Sequence, residues 1–463
     1  LISMFVVFPI SEAMIIMSLS AMAYANFSML FNKDKRHKRI ILKRELVNSD
    51  FVKIEQPRDV KRIIVDLVLA LFVSTGALVF FVFAPEIYSL LKLIVGFALI
   101  AMLTEMIARL GNYVSTDIYW CSEQGRLVIL SIFESRDFPV EDIKEVERES
   151  APDILRLHPL FTFMSSNQDY TTSLGQVLKL SFPGENIYLT PKEIESWEET
   201  FSLYIDLKKE NNVKQVLPFY HPHVLKRLFW KGYFAITVKG VSAYTGFIFI
   251  LLWLDVSSYM IIGFVLLWWI VNVYVSDRVL IAGTDAIKLT SGDVYQRAHI
   301  IFQKAGIPHT KLYMIDSPIY NGLATGMNIG RGTVMLTKAT MNLPIESVEA
   351  ILAHEAIHVK RRDVLTNQLA QMLFFGFIAL VVYLFYDQIR LLAENLFVFI
   401  PLVYVLLLLF PIYLSFVAQW MEVRADHFGS KLLEGGHQQM AQGLIDLGHA
   451  QDEDLDKASQ YSI

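Results

Sequence analysis

The reading of the whole chain turns on 350-AILAHEAIHVKRRD-363. His354 and His358 stand four residues apart, with Glu355 beside the first. On a helix, residues i and i+4 lie one above the other on a single face. Both imidazoles can then reach one metal, and Glu355, displaced around the same helix, can reach the water that metal activates. This is the H-E-x-x-H arrangement of zinc peptidases. Its three fixed positions match by chance in roughly one chain in a hundred of this size, so a solvated helix with two stray histidines is the competing reading.

The flanks favour the metal. The preceding "LPIESVEAILA" carries acids early and apolar residues at helical spacing, as an amphipathic helix does. Lys360, Arg361 and Arg362 close it before the next apolar run. The motif therefore sits on a soluble helix, unlike that of the intramembrane site-two proteases.

The 463 residues are 54% hydrophobic, with a net charge of only -5 and a mean hydropathy of +0.42. That apolar content exceeds the soluble average and is gathered in long runs. Seven runs, near 4–31, 63–84, 87–108, 236–254, 258–275, 368–386 and 395–417, approach the roughly 20 residues needed to span a bilayer. The first reads as a retained helix rather than a signal peptide, because it is too long and lacks a basic start. The single cysteine, Cys121, excludes an intrachain disulfide and a cysteine-based zinc cluster. Any metal is held by His, Asp or Glu.

Basic residues orient the set. The run from Lys33 to Arg44, then Lys226, Arg227 and Lys231, then Lys360 to Arg362 all flank loops on one side. The opposite loops hold one basic residue, Arg390. The positive-inside rule places residues 32–62, 111–232, 276–367 and 418–463 in the cytoplasm and the N-terminus outside. This implies a multi-pass plasma-membrane protein with its active site facing the cytoplasm. Nucleic acid is not an expected partner, since no aromatic residues interleave the basic run.

Catalytic zinc needs three protein ligands and one open position. After His358 the chain crosses the membrane twice and returns to "QWMEVRADHFGS". Glu422 and Asp426 are again i and i+4. Glu422 can be the third ligand, and Asp426 can accept the second N–H of a ligand histidine. The alternative for Glu422 is a surface acid.

Residues 111–222 change character. "RLVILSIF" and "VLKLSF" read as strands, "PGEN" at 183–186 as a hairpin turn, and Thr190-Pro191-Lys192-Glu193 as a helix start with Ile194, Trp197 and Phe201 on one face. With "FPVEDIKEVERES" and "IYLTPKEIESWEETF", this α+β insert resembles the bacterial pleckstrin-homology-like domains. It offers no catalytic constellation, so a regulatory or binding role is expected.

Taken in order, "SGDVYQRAHIIFQKAGIPHTKLYMIDSPIYNGLATG", "TVMLTKATM", "IESVEAILAHEAIH" and the later E-x-x-x-D pair resemble the HtpX-type membrane zinc endopeptidases. These are gluzincins related to the CAAX prenyl endopeptidases. The resemblance spans about residues 241–445. It implies one zinc held by His354, His358 and Glu422, with Asp426 behind them and Glu355 as general base. It implies that Asn321, Gly322, Leu323 and Ala324 receive substrate as an added strand, and the residues agree, because an exposed hairpin edge pairs with extended peptide. The family places later basic or His residues near the site. Of His427, His437 and His449, His437 is the candidate for stabilising the transition state.

The expected fold is a polytopic α-helical membrane protein. Its cytoplasmic zincin domain is mainly helical with a small β-sheet, and a soluble α+β insert is added. The expected divisions are 1–110 (three membrane helices), 111–222 (insert), 223–275 (two helices), 276–367 (first part of the peptidase), 368–417 (two helices) and 418–463 (second part). The expected function is zinc-dependent cleavage of membrane-associated or misfolded proteins at the cytoplasmic face, with protein or peptide substrates and the lipid bilayer as partners. The alternative is a zinc-peptidase-domain membrane sensor or receptor with restricted or self-cleavage.

Overall fold

The computed structural model describes residues 10–30, 33–48, 50–83, 89–163, 166–204, 217–218, 220–239, 251, 255–325, 332–394 and 396–461. Two compact units divide the chain, Leu1–Phe264 with Glu453–Ile463, and Val265–Asp452.

The first unit opens with helices α1 (Ile10–Leu30) and α2 (Lys33–Asn48), strand β1 (Val52–Ile54), and helices α3 (Lys61–Phe83) and α4 (Ser89–Ser115). Strands β2 (Asp117–Cys121), β3 (Arg126–Leu130) and β4 (Ser135–Pro139) extend β1 into an antiparallel sheet, in the order β1-β2-β3-β4. A second sheet has the order β5-β7-β8-β6, formed by β5 (Glu145–Glu149), β6 (Asn167–Asp169), β7 (Val177–Phe182) and β8 (Glu185–Leu189). Only β6 and β8 run parallel there. Ile118, Leu127, Ile129, Phe138, Leu178 and Leu180 pack in one buried core, the expected outcome of strands whose apolar faces must leave water. The hairpin at "PGEN" forms as expected, with Gly184 at φ 76° in the left-handed region.

Helix α5 (Ile194–Ser202) buries Ile194 and Phe201 in that core, with Trp197 packed beside them. It starts three residues later than the Thr190-Pro191 signal indicates. Thr190 is not free to cap it, because its hydroxyl accepts the Thr172 N–H at 3.0 Å. Glu193 takes the cap position without a side-chain bond. Helix α6 (Pro222–Phe234) follows. The β-rich core also reaches beyond 111–222. It takes β1 as an edge strand, and it buries Tyr461.

Helix α7 (Ser258–Thr284) leads into the second unit. There β9 (Ile287–Lys288), α8 (Asp293–Lys304), β10 (Lys311–Ile315), β11 (Gly322–Thr325) and β12 (Thr333–Thr337) are followed by α9 (Ile345–Arg361). Helices α10 (Asp363–Leu384), α11 (Tyr386–Glu394), α12 (Leu396–Ser430) and α13 (Gly436–Tyr461) complete the chain. The sheet order is β11-β12-β10-β9, with β10 and β12 parallel and β11 an antiparallel edge. Phe302, Leu312, Leu336, Val348, Leu352 and Met440 form the core beneath α9.

Among the described residues, five helices are long and apolar enough to cross a membrane, at Lys61–Phe81, Val95–Ser115, Ser258–Thr284, Asp363–Leu384 and Tyr404–Ser430. These correspond to five of the seven apolar runs. Of the others, the first is helical over Ile10–Leu30, and 236–254 lies mostly outside the described residues.

Candidate metal centre

Helix α9 carries the H-E-x-x-H motif and is almost wholly buried along one side, from Val348 to Ala356. Two glycines let neighbours approach it. A Cβ on Gly429 of α12 would sit 3.2 Å from the backbone of Ala353, and one on Gly443 of α13 would sit 2.5 Å from Ala350 Cβ. The first approach brings the "EVRAD" segment of α12 alongside α9.

The result is a convergence of three potential ligand atoms. His354 Nε2 and His358 Nε2 lie 2.9 Å apart. Glu422 Oε2 is 3.1 Å from the first and 3.6 Å from the second. His354, His358 and Glu422 thus form a group able to hold a metal ion. The remaining ring nitrogens are also engaged. His354 Nδ1 is 2.7 Å from Asp426 Oδ1, and His358 Nδ1 is 2.7 Å from Asp363 Oδ2. With each Nδ1–H donating to its carboxylate, each Nε2 presents a lone pair to the same point. Two lone pairs and a carboxylate oxygen so close together repel unless a cation stands among them. A 2 His–1 Glu set with carboxylates behind the imidazoles fits zinc.

The electrostatics carry the same demand. Burial disfavours a charged His354, but the hydrogen bonds to Asp426 and Glu422 prevail and raise it to about 10. His358 is likewise opposed by burial and raised to about 9 by Asp363 and Glu422. Burial pushes the Glu355 carboxyl above its ordinary range, against the pull of the two histidines.

Asp363 and Arg424 escaped the sequence reading. Arg362 takes a left-handed conformation (φ 56°, ψ 48°) that ends α9, and the chain turns so that Asp363 faces back to His358. Arg424 donates to Asp363 and lies over the Trp420 ring at 4.3 Å. The available signal was an acid five residues after the second histidine, beyond the period of the α9 helix and visible only once the helix break is known.

The edge strand β11 crosses the motif. A Cβ on Gly322 would fall 2.8 Å from Glu355 Oε1, so only glycine fits without displacing that carboxylate. Leu323 and Ala324 pair with Met335 and Val334 of β12. Asn321 is anchored by its backbone, its N–H donating to Thr340 Oγ1 at 2.7 Å and its carbonyl accepting from Thr337 N at 3.1 Å. The opposite edge of β11 has no strand partner among the described residues. His437 stacks on His427, with ring centres 5.6 Å apart, and no contact among the described residues links it to the ligand group.

Residues 288–453 match peptidase family M48, and residues 117–205 match a bacterial PH domain. The second unit thus contains a stretch similar to M48 peptidases, interleaved with apolar helices, and the β-rich stretch before it is similar to a bacterial PH domain. The chain is similar to a Protease HtpX homolog of Pelotomaculum thermopropionicum, 35% identical over 101 residues, which are 21% of this chain and 36% of that protein. It is also similar to a Protease HtpX homolog of Campylobacter concisus, 32% identical over 116 residues, 24% of this chain and 40% of the relative. The chain therefore spans well under half the length of these relatives. The crystal structure of S. mikatae Ste24p matches with a TM-score of 0.35 at 17% identity, covering 55% of this chain and 66% of that one, a likeness too loose to define the fold.

Proposed function

We propose that the protein is a membrane-embedded zinc endopeptidase, holding one zinc per chain and cleaving membrane-associated or misfolded proteins at the cytoplasmic face. One observation carries the reading: the two Nε2 atoms and Glu422 Oε2 converge while both Nδ1 atoms are tied to carboxylates. Bound zinc would supply Lewis acidity toward water and toward the scissile carbonyl. His354, His358 and Glu422 would hold it, and Asp426 and Asp363 keep both imidazoles aimed. Glu355 accepts the proton from the attacking water and delivers it to the leaving amine. Its raised pKa suits a group that must both take and return a proton. The free edge of β11, through Asn321, Gly322, Leu323 and Ala324, receives the substrate backbone as an added strand over Glu355.

The cytoplasmic orientation rests on the basic residues beside the helix ends. Membrane-associated substrates follow from a domain interleaved with apolar helices. Metal analysis with casein cleavage by the purified full chain tests the core of the reading. About one zinc per chain is expected, with cleavage lost to a chelator and restored by zinc; metal-free protein that cleaves at the same rate would overturn it. Cysteine labelling in intact cells tests the topology, and labelling of the 276–367 loop from outside would reverse it.

A further inference from the structure

The last turns of α13 lie in the core of the PH-like domain, far in sequence from its strands. Tyr461 is 1% exposed. Its ring centre is 5.0 Å from that of Phe138 and 5.9 Å from that of Phe182, and its hydroxyl donates to Asp142 at 2.9 Å. One turn earlier, Ala458 meets the place where Gly184 lacks a Cβ, at 3.2 Å. A further turn back, Lys144 Nζ donates to both Asp454 oxygens at 3.0 Å. Lys457 adds a 3.5 Å pair with Asp142. Asp454, Ala458 and Tyr461 stand at i, i+4 and i+7, one face of the helix. An acid, a small residue and an aromatic thus meet a lysine, a glycine and an aromatic slot, the pattern of a helix laid in a groove.

We infer that the PH-like domain is a docking module whose ligand is this chain's own segment 453–461 of α13, read as the acid–small–aromatic face of Asp454, Ala458 and Tyr461. The same helix has its other end on the motif helix. Gln439 donates to the Glu346 carbonyl at 3.1 Å, Ser347 bonds Asp446, and Gln451 donates to the Tyr320 carbonyl at 2.8 Å, just before β11. The inference does not rest on the peptidase reading, and its test measures docking rather than cleavage.

Hydrogen exchange over residues 453–461 of the full chain in detergent is the test. The native tail should be protected. Tyr461→Ala and Ala458→Leu should each speed its exchange at least tenfold. Lys144→Glu and Asp454→Lys should each speed it several-fold, and the double exchange of charge should recover most of that loss, which a merely unfolded domain would not do. An excess of the free peptide 450–463 should open the native tail, and the same peptide with Tyr461→Ala should not. A native tail that exchanges as an unfolded peptide, or a charge-swapped pair no better protected than the single variants, would overturn the inference.

Discussion

Both units bury charge, and they do so in opposite ways. In the first, Arg62 and Arg109 share Asp169, and Arg109 also binds Asp66 at 3.0 Å. Arg136 similarly bridges Glu134 and Glu185. Each cation there has its anion. Around α9, Glu355, Asp363, Glu422 and Asp426 surround two histidines, and Arg424, held by Asp363, is the only permanent cation among the described residues that pairs with them. In the first arrangement the acids meet permanent cations; in the second, most of the positive charge must come from protons on the histidines or from a metal held by the same nitrogens. A cluster of ionisable residues becomes a candidate site when its positive charge is exchangeable, proton or metal, and not because it is a cluster.

That contrast breaks most visibly if ligand and base are separated. Glu422→Ala removes a ligand atom, so zinc and cleavage should both be lost from the purified chain. Glu355→Gln keeps nearly the same shape and no ligand, so zinc should stay near one per chain while cleavage drops about 10²–10⁴-fold. Near-native turnover by Glu355→Gln would remove the general base. Retained metal in Glu422→Ala would move the third ligand elsewhere.

Smaller effects are expected one step out. Asp363→Asn should weaken zinc about 10–100-fold, by freeing the His358 tautomer, as read by competition with a fluorescent chelator. The matching change in the first unit is Asp169→Ala, which strands the buried Arg62 and leaves Arg109 with Asp66 alone. It should destabilise the first unit by about 3–5 kcal/mol and leave zinc affinity unchanged. If Asp169→Ala weakened zinc as much as Asp363→Asn did, the two kinds of cluster would not be distinct.

The sequence discloses these regions unequally, for physical reasons. His354 and His358 are legible because candidate ligands at i and i+4 share one face of a helix, with Glu355 beside the first. Glu422 and Asp426 need one further step, the return of the chain after two apolar helices. Asp363 is hidden by the left-handed Arg362, a backbone conformation that nothing in "KRRDV" announces. In the β-rich unit the strands "RLVIL" and "VLKLSF" are readable from residue type, and the turn from "PGEN". The helix start is misread because Thr190, a good cap by identity, is already bonded to Thr172. The capture of Tyr461 is a tertiary choice between segments hundreds of residues apart, which local patterning does not encode.

The subtlest difference between the units lies in their response to pH. Without metal, His354 and His358 bind protons with pKa values of about 10 and about 9, against an ordinary value near 6.5. The folded state then holds protons that the unfolded chain releases earlier. Their contribution to stability is full below about pH 6.5 and is lost as pH rises through 9 and 10. Zinc competes for the same two nitrogens, so its binding tightens over that window as the protons leave. Chelated protein should therefore melt at lower temperature at pH 9.5 than at pH 6.5, and the gain in melting temperature on adding zinc should widen. Glu422→Ala should flatten both trends, since Glu422 helps to hold both protons. Melting of the chelated protein that is flat or rising across the window would mean that the histidines are not the proton-holding pair that makes this cluster ask for a cation.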